Sequence, residues 1–116
     1  MEDDMAHRHI FEIQADLCKC MSSAVRIEIV YVLRDGPQRV SEIARNTGYT
    51  QATISRHIGV LRNGGVVIAH RHAQEIIYQI ANPKIVEICD LMREVLMAEA
   101  SHSSKIMEGF QDEHSG

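Results

Sequence analysis

Between Gly36 and Gly65 the chain is cut into two short amphipathic segments with almost nothing between them. Val40, Ile43 and Ala44 share one side of a segment that Gly48 stops. After Tyr49, Thr50 stands where it can cap a second segment, in which Ile54, Ile58 and Leu61 recur at helical spacing until Gly64 and Gly65 end it. Glycine closes a helix because it enters the left-handed conformation without a Cβ clash. Threonine opens one by accepting a hydrogen bond from an N–H of the first turn. The pattern predicts helices over residues 40–47 and 51–63 joined by a tight turn.

The flanking sequence gives this unit its frame. Ile10, Ile13, Leu17 and Met21 recur at steps of three and four, which predicts a helix over 8–20 behind a frayed tail at 1–7. Ser22 and Ser23 can cap a further helix over 24–34, ended by Gly36 and Pro37. In that stretch Ile27, Ile29, Tyr31 and Leu33 alternate as in a strand, but Val25, Ile29, Val32 and Leu33 also form one helical face, and a helix is the expectation. Val66–Ile68 and Ile76–Ile80 bracket the polar stretch His70–Glu75, which reads as two strands around a turn, a wing. Asn82 before Pro83 starts a last helix over about 83–107, and 108–116 is expected to be a loose polar tail. The expected class is therefore mainly α with a small β-hairpin, in a single domain over 8–107, since 116 residues build one core.

The last helix is too apolar for one buried stripe. Ile85, Ile88, Met92 and Val95 form one face, while Leu91 and Met97 lie well around the helix. The simplest cover for the remainder is the same helix of a second subunit, so a homodimer through the first and last helices is expected. Net charge is −4, which by itself argues against an anionic partner. Yet the six arginines Arg34, Arg39, Arg45, Arg56, Arg62 and Arg71 face only Asp35 and Glu42 between residues 34 and 72, so a basic middle lies between acidic ends.

The segment VSEIARNTGYTQATISRHIGVLRNGGVV resembles the DNA-reading half of the ArsR/SmtB family of winged-helix repressors. AVRIEIVYVLRDG is similar to that family's second helix, and IIYQIANP to its second wing strand and the entry to its last helix, so the likeness covers about residues 10–100. The resemblance implies a homodimeric winged helix-turn-helix repressor whose partner is double-stranded DNA, and the cytoplasm is the default compartment for a chain that starts MEDDMAHRH, without the pattern of a secretory signal. It also implies that the helix opening at Thr50 enters the major groove with Gln51, Ala52, Thr53, Ser55, Arg56 and His57. The chemistry of these residues agrees. Gln pairs bidentately with adenine and Arg with guanine, and Thr53 and Ser55 are short enough to let the helix approach. His57 suits either packing or a phosphate contact. Arg71, His72 and Gln74 are placed in the wing turn, where an Arg enters the minor groove or grips its phosphates.

Relatives of this kind release DNA when a metal, metalloid or oxidant binds. The arsenic-type cysteine pair is missing from SEIARN, and the zinc-type last-helix pattern is missing because Asp90 is followed by Leu91 and Met92, and His102 by Lys105. Cys18, Cys20 and Cys89 remain as candidate sensor thiols. Three thiolates suit soft ions such as As(III), Cd(II) or Cu(I), or an oxidant can act on them. Residues two apart on a helix point about 200° from each other, so Cys18 and Cys20 can share an ion only where the helix ends. The plain alternative is that they are small core residues. The histidine pairs His7/His9 and His70/His72 lack carboxylates at ligand spacing and read as surface residues, and His102 has no matching partner.

An enzyme is not expected, because there is no Gly-rich phosphate loop and no nucleophile with a base at interpretable spacing. No apolar run approaches the roughly 18 residues of a membrane span, and the start MEDDMAHRH is not a secretory signal. Two alternatives stay open: a constitutive DNA binder, and a winged-helix module for protein association without an inducer.

Overall fold

A computed structural model describes the backbone of residues 2–102 and the side chains of residues 9–100. The chain divides into two compact units at Ile85–Val86. In the first, α1 (Glu2–Cys20), α2 (Ala24–Leu33), α3 (Val40–Thr47), α4 (Gln51–Asn63), β1 (Val67–His72) and β2 (Glu75–Ile80) follow in order. The helix α5 (Lys84–His102) begins at the boundary and forms the described part of the second. The expected stretch 103–107 of the last helix and the expected tail at 108–116 lie outside the described residues. No helix among the described residues is long and apolar enough to cross a membrane.

The first helix starts earlier than expected. It is helical from Glu2, where a frayed tail over 1–7 is expected from the sequence. No glycine or proline precedes Gly36, so nothing in the leading residues breaks the helix. Its apolar stripe is covered only toward the C-terminal end: Cys20 is buried and Leu17 and Met21 are half-buried, whereas Ile10 and Ile13 are exposed.

The segment that alternates like a strand is the helix α2. Its buried residues are Ile29, Val30 and Leu33, which lie together on a helix but on opposite faces of a strand. Ser23 caps it by accepting from the Arg26 N–H at 3.3 Å. The core of this unit joins those residues to Ile43 and Ala44 of α3, to Ile54, Ile58 and Leu61 of α4, and to Val66 and Val67.

The turn between α3 and α4 is closed as the glycine predicts. Gly48 sits at φ 86° and donates its N–H to Ala44 O at 2.8 Å, a left-handed C-cap. Tyr49 donates its phenol to the Glu28 carboxylate of α2, which raises the Tyr49 pKa and ties the turn to the preceding helix.

The wing is longer than its apolar residues suggest. β1 and β2 pair antiparallel from Val67↔Ile80 to His72↔Glu75, leaving only Ala73 and Gln74 as the turn. Arg71 and His72, expected in the turn, therefore belong to β1, with Arg71 opposite Ile76. Backbone pairing carries the strand through polar residues as readily as apolar ones. Ala73 at φ 58° makes the reversal sharp. Gln38 adds a bridge that the sequence does not signal: its N–H donates to Tyr78 O at 2.9 Å and its carbonyl accepts from Tyr78 N–H at 2.8 Å. The chain entering α3 is thereby laced to the wing.

In α5, Ile85, Val86 and Cys89 are buried, while Ile88, Leu91, Met92, Val95, Leu96 and Met97 are 41–63% exposed. Ile88, Met92 and Val95 thus lie outside the buried stripe expected for them, which runs through Val86 and Cys89 instead.

The end of α4 meets the end of α1 at close range. A Cβ on Gly64 would stand 2.7 Å from Cys20 Sγ and 3.3 Å from Cys20 Cβ. Gly64→Ala is expected to destabilise the fold by about 1–3 kcal/mol through overpacking, seen as a lower urea midpoint at unchanged slope.

Candidate nucleic-acid interface

Helix α4 carries its two faces as the sequence divides them. Ile54, Ile58 and Leu61 are 0–2% exposed, and Gln51, Ala52, Ser55 and Arg56 are exposed on the remaining surface. Thr50 fixes the helix start, accepting from the Thr53 N–H at 3.1 Å and donating its hydroxyl to Thr53 Oγ1 at 2.9 Å. Thr53 is half-buried, and its own hydroxyl proton remains to be donated outward.

His57 is turned away from that outer face. Its Nδ1 lies 3.2 Å from Arg26 Nη1, so in the neutral ring Nδ1 accepts from the guanidinium. Burial, with the charges of Arg56 and Arg26, holds its pKa below the usual value. Of the two roles the sequence left open to His57, the geometry shows packing against Arg26.

Arg26 is the residue that sequence reasoning missed. Besides His57 it reaches the end of α1, donating from Nη2 to Lys19 O at 3.2 Å and from Nε to Cys20 O. One guanidinium on α2 therefore binds the closing carbonyls of α1 and the middle of α4. A cation also complements the negative C-terminal end of a helix. The available signal was a basic residue near the start of the mostly apolar run AVRIEIVYVL, with the α1 end only a few residues upstream.

Cys20 lies beside this clasp, buried, with Sγ 3.7 Å from Val60 O of α4. Burial pushes its thiol pKa up, partly opposed by Arg26. Burial and the neighbouring Asp90 raise Cys89 likewise, against a smaller lowering by Arg93. Cys18 is exposed. Because α1 continues to Cys20, Cys18 and Cys20 project from different sides of an unbroken helix. Among the described residues no group of three or more His, Cys, Asp or Glu side chains is gathered for a metal ion.

Between α4 and the wing runs an open groove of about 460 Å³, to which Gln51 and Ser55 contribute from α4 and Gln74 from the turn. Arg71 is exposed on β1 beside it in sequence, two residues short of the turn. Polar side chains from the first turns of α4 and from the wing thus line one groove.

A helix-turn-helix with an outward second helix, followed by a two-stranded wing, defines a winged helix-turn-helix regulator. Residues 23–69 match the family described as bacterial regulatory protein, arsR family. The chain is 30% identical over 105 residues to the HTH-type transcriptional regulator Rv0081 of Mycobacterium tuberculosis, spanning 90% of this chain and 92% of that one. The Rv0081 crystal structure superposes with a TM-score of 0.72 at 32% identity, covering 80% and 94% of the two chains. The homodimeric winged helix-turn-helix DNA-binding domain of Mb0332 from Mycobacterium bovis gives a TM-score of 0.74 at 26% identity, covering 83% and 89%. A biofilm growth-associated repressor of Xylella fastidiosa is 31% identical over 85 residues, 73% of this chain and 75% of that one. The chain belongs to the ArsR family of bacterial regulatory proteins, the ArsR/SmtB group, whose members are transcriptional regulators and not enzymes.

Burial of His57, with the charges of Arg56 and Arg26 beside it, sets a pH dependence. With the folded pKa of His57 below the ordinary 6.5, the unfolded chain takes up its proton first. The His57 contribution to stability is expected to be complete above pH 6.5 and to fall as pH drops from there toward the folded pKa. Ring-proton NMR should place the His57 midpoint below 6.5, and Arg26→Gln should move it upward.

Proposed function

We propose that this protein is a homodimeric transcriptional repressor, acting in the cytoplasm, that binds an inverted-repeat operator through α4 and is released by a thiol-reactive inducer. The observation that carries the DNA reading is the orientation of α4, with Ile54, Ile58 and Leu61 inside and Gln51, Ser55 and Arg56 outside. In the major groove Gln51 reads adenine, Arg56 reads guanine or holds phosphate, and Thr53 and Ser55 bond to bases or backbone. Ala52 allows close approach, and Thr50 secures the first turn. Arg71 and Gln74 of the wing serve the adjoining backbone or minor groove.

Two further observations support pairing of subunits. Ile10, Phe11 and Ile13 of α1 are more than half exposed, as are Leu91, Val95, Leu96 and Met97 of α5, so each of these helices carries apolar side chains that a second copy would bury. The similar Mb0332 domain is homodimeric. A two-fold dimer presents α4 twice, which requires half-sites about one helical turn, ~34 Å, apart. A mobility-shift assay with promoter-region duplex should show salt-sensitive binding, and no binding to any inverted repeat would leave the protein-association reading. Arg56→Ala should weaken binding by about 1–3 kcal/mol while leaving the unfolding midpoint unchanged.

The inducer reading rests on the different settings of the three thiols. Cys18 is exposed, whereas Cys20 and Cys89 are buried and held protonated. Thiolate character and access govern thiol reactivity, so Cys18 is the first point of attack for an oxidant or a thiophilic ion such as As(III). A thiol reagent should label Cys18 rapidly in the folded protein and the other two only on unfolding. DNA release by the same reagent should disappear in Cys18→Ser, and an unchanged response there would refute the inducer role of this thiol.

A further inference from the structure

Of the residues lining the groove between α4 and the wing, Arg39 and Glu75 carry charge, and they face each other: Arg39 Nη1 donates to Glu75 Oε1 at 2.7 Å. Arg39 comes from the residue that caps α3, Glu75 from the first residue of β2 beside the wing turn. The arginine is held from behind. Its Nε donates to Glu42 Oε1 at 2.9 Å, and its backbone N–H donates to the same oxygen at 3.1 Å. The guanidinium is therefore oriented by α3 whether or not Glu75 is present, with Nη1 directed into the groove.

The carboxylate of Glu75 is out of place by charge. A groove that admits duplex DNA is expected to carry positive or neutral groups, and an acidic side chain there repels the phosphates. The side chains of Arg39 and Glu75 are 42% and 53% exposed, and an ion pair so placed contributes little, because water solvates both partners well. A phosphate offers Arg a charge-assisted, planar match, and a DNA backbone brings phosphates at high local density.

The geometry points to Arg39 as a DNA-phosphate ligand and to Glu75 as its stand-in, the carboxylate occupying on Nη1 the position that a backbone phosphate takes when DNA enters the groove. This rests on the DNA-binding reading above and goes beyond it, since neither residue lies on α4. Glu75 then sets a threshold: binding requires the ion pair to exchange, which weakens every duplex alike and leaves sequence preference untouched. Glu42 keeps Arg39 in position during the exchange.

Because phosphate contacts are independent of sequence, the test uses a mixed-sequence duplex of about 30 base pairs, three helical turns, titrated at several salt concentrations. Glu75→Gln should bind about threefold to fivefold more tightly than the native chain, the scale of an exposed ion pair. Arg39→Gln should bind more weakly, with the slope of log affinity against log salt shallower by about 0.9, one phosphate contact fewer. In the Arg39→Gln background the gain from Glu75→Gln should be smaller than in the native chain, since only direct repulsion of the phosphates is then relieved, and an equal gain in both backgrounds overturns the proposal. Circular dichroism and thermal melting confirm that each variant is folded. If the ion pair were instead a strut holding the wing, Glu75→Gln would bind more weakly; that result, unchanged affinity, or an unchanged salt slope in Arg39→Gln overturns the proposal. Failure of the native chain to bind any duplex would be a different result, removing the DNA-binding reading and this proposal with it.

Discussion

What α4 presents to solvent depends on the burial of its opposite face. Ile54, Ile58 and Leu61 are withdrawn from solvent almost completely, and their common direction fixes the rotation of the helix about its axis. Fully burying a large aliphatic side chain is worth about 1.5–3 kcal/mol. Three on one stripe make any rolled position expensive. Gln51, Ser55 and Arg56 are outward because these three are inward. A helix that must match a groove edge within a fraction of an ångström needs this kind of rotational lock, since side chains on it have little reach to correct an error.

The polar contacts then refine what the core sets. Arg26 ties the closing carbonyls of α1 to His57 in the middle of α4, while Cys20 and Gly64 bring the ends of the same two helices into close contact. The end of α1 therefore meets α4 through packed atoms and direct hydrogen bonds. The Cys20 thiol is part of that packing, which gives it a structural role beside Cys18, two residues away and open to solvent. The wing is governed differently. Backbone pairing of Gln38 with Tyr78 joins it to the chain entering α3, and beside its turn Glu75 meets Arg39 in an exposed ion pair.

The parts of the fold legible in the sequence are those written in short-range chemistry. Gly48, Thr50, Gly64 and Pro83 mark helix ends through local backbone preferences, and α2, α3 and α4 fall within a residue of their expected spans. The two faces of α4 were equally legible, because polar and apolar residues recur there at the helical period. What was not legible involved partners distant in the chain. Arg26 and His57 are 31 residues apart, Arg39 and Glu75 are 36, and neither pair shares a periodicity that spacing alone could detect. The wing strands ran past their apolar residues because β1 is held by pairing and not by burial.

By itself, then, the amino-acid order determined the succession of helices, the hairpin and the division of α4 into a core face and an outer face. These follow from local torsional preference and from hydrophobic period, both properties of neighbouring residues. The tertiary structure alone decided which polar groups meet across elements: that His57 turns inward to a guanidinium, that Cys20 is packed while Cys18 is exposed, and that Glu75 confronts Arg39 in the groove. Such meetings depend on the position and rotation of whole elements, which the summed packing of the core sets and no single segment encodes.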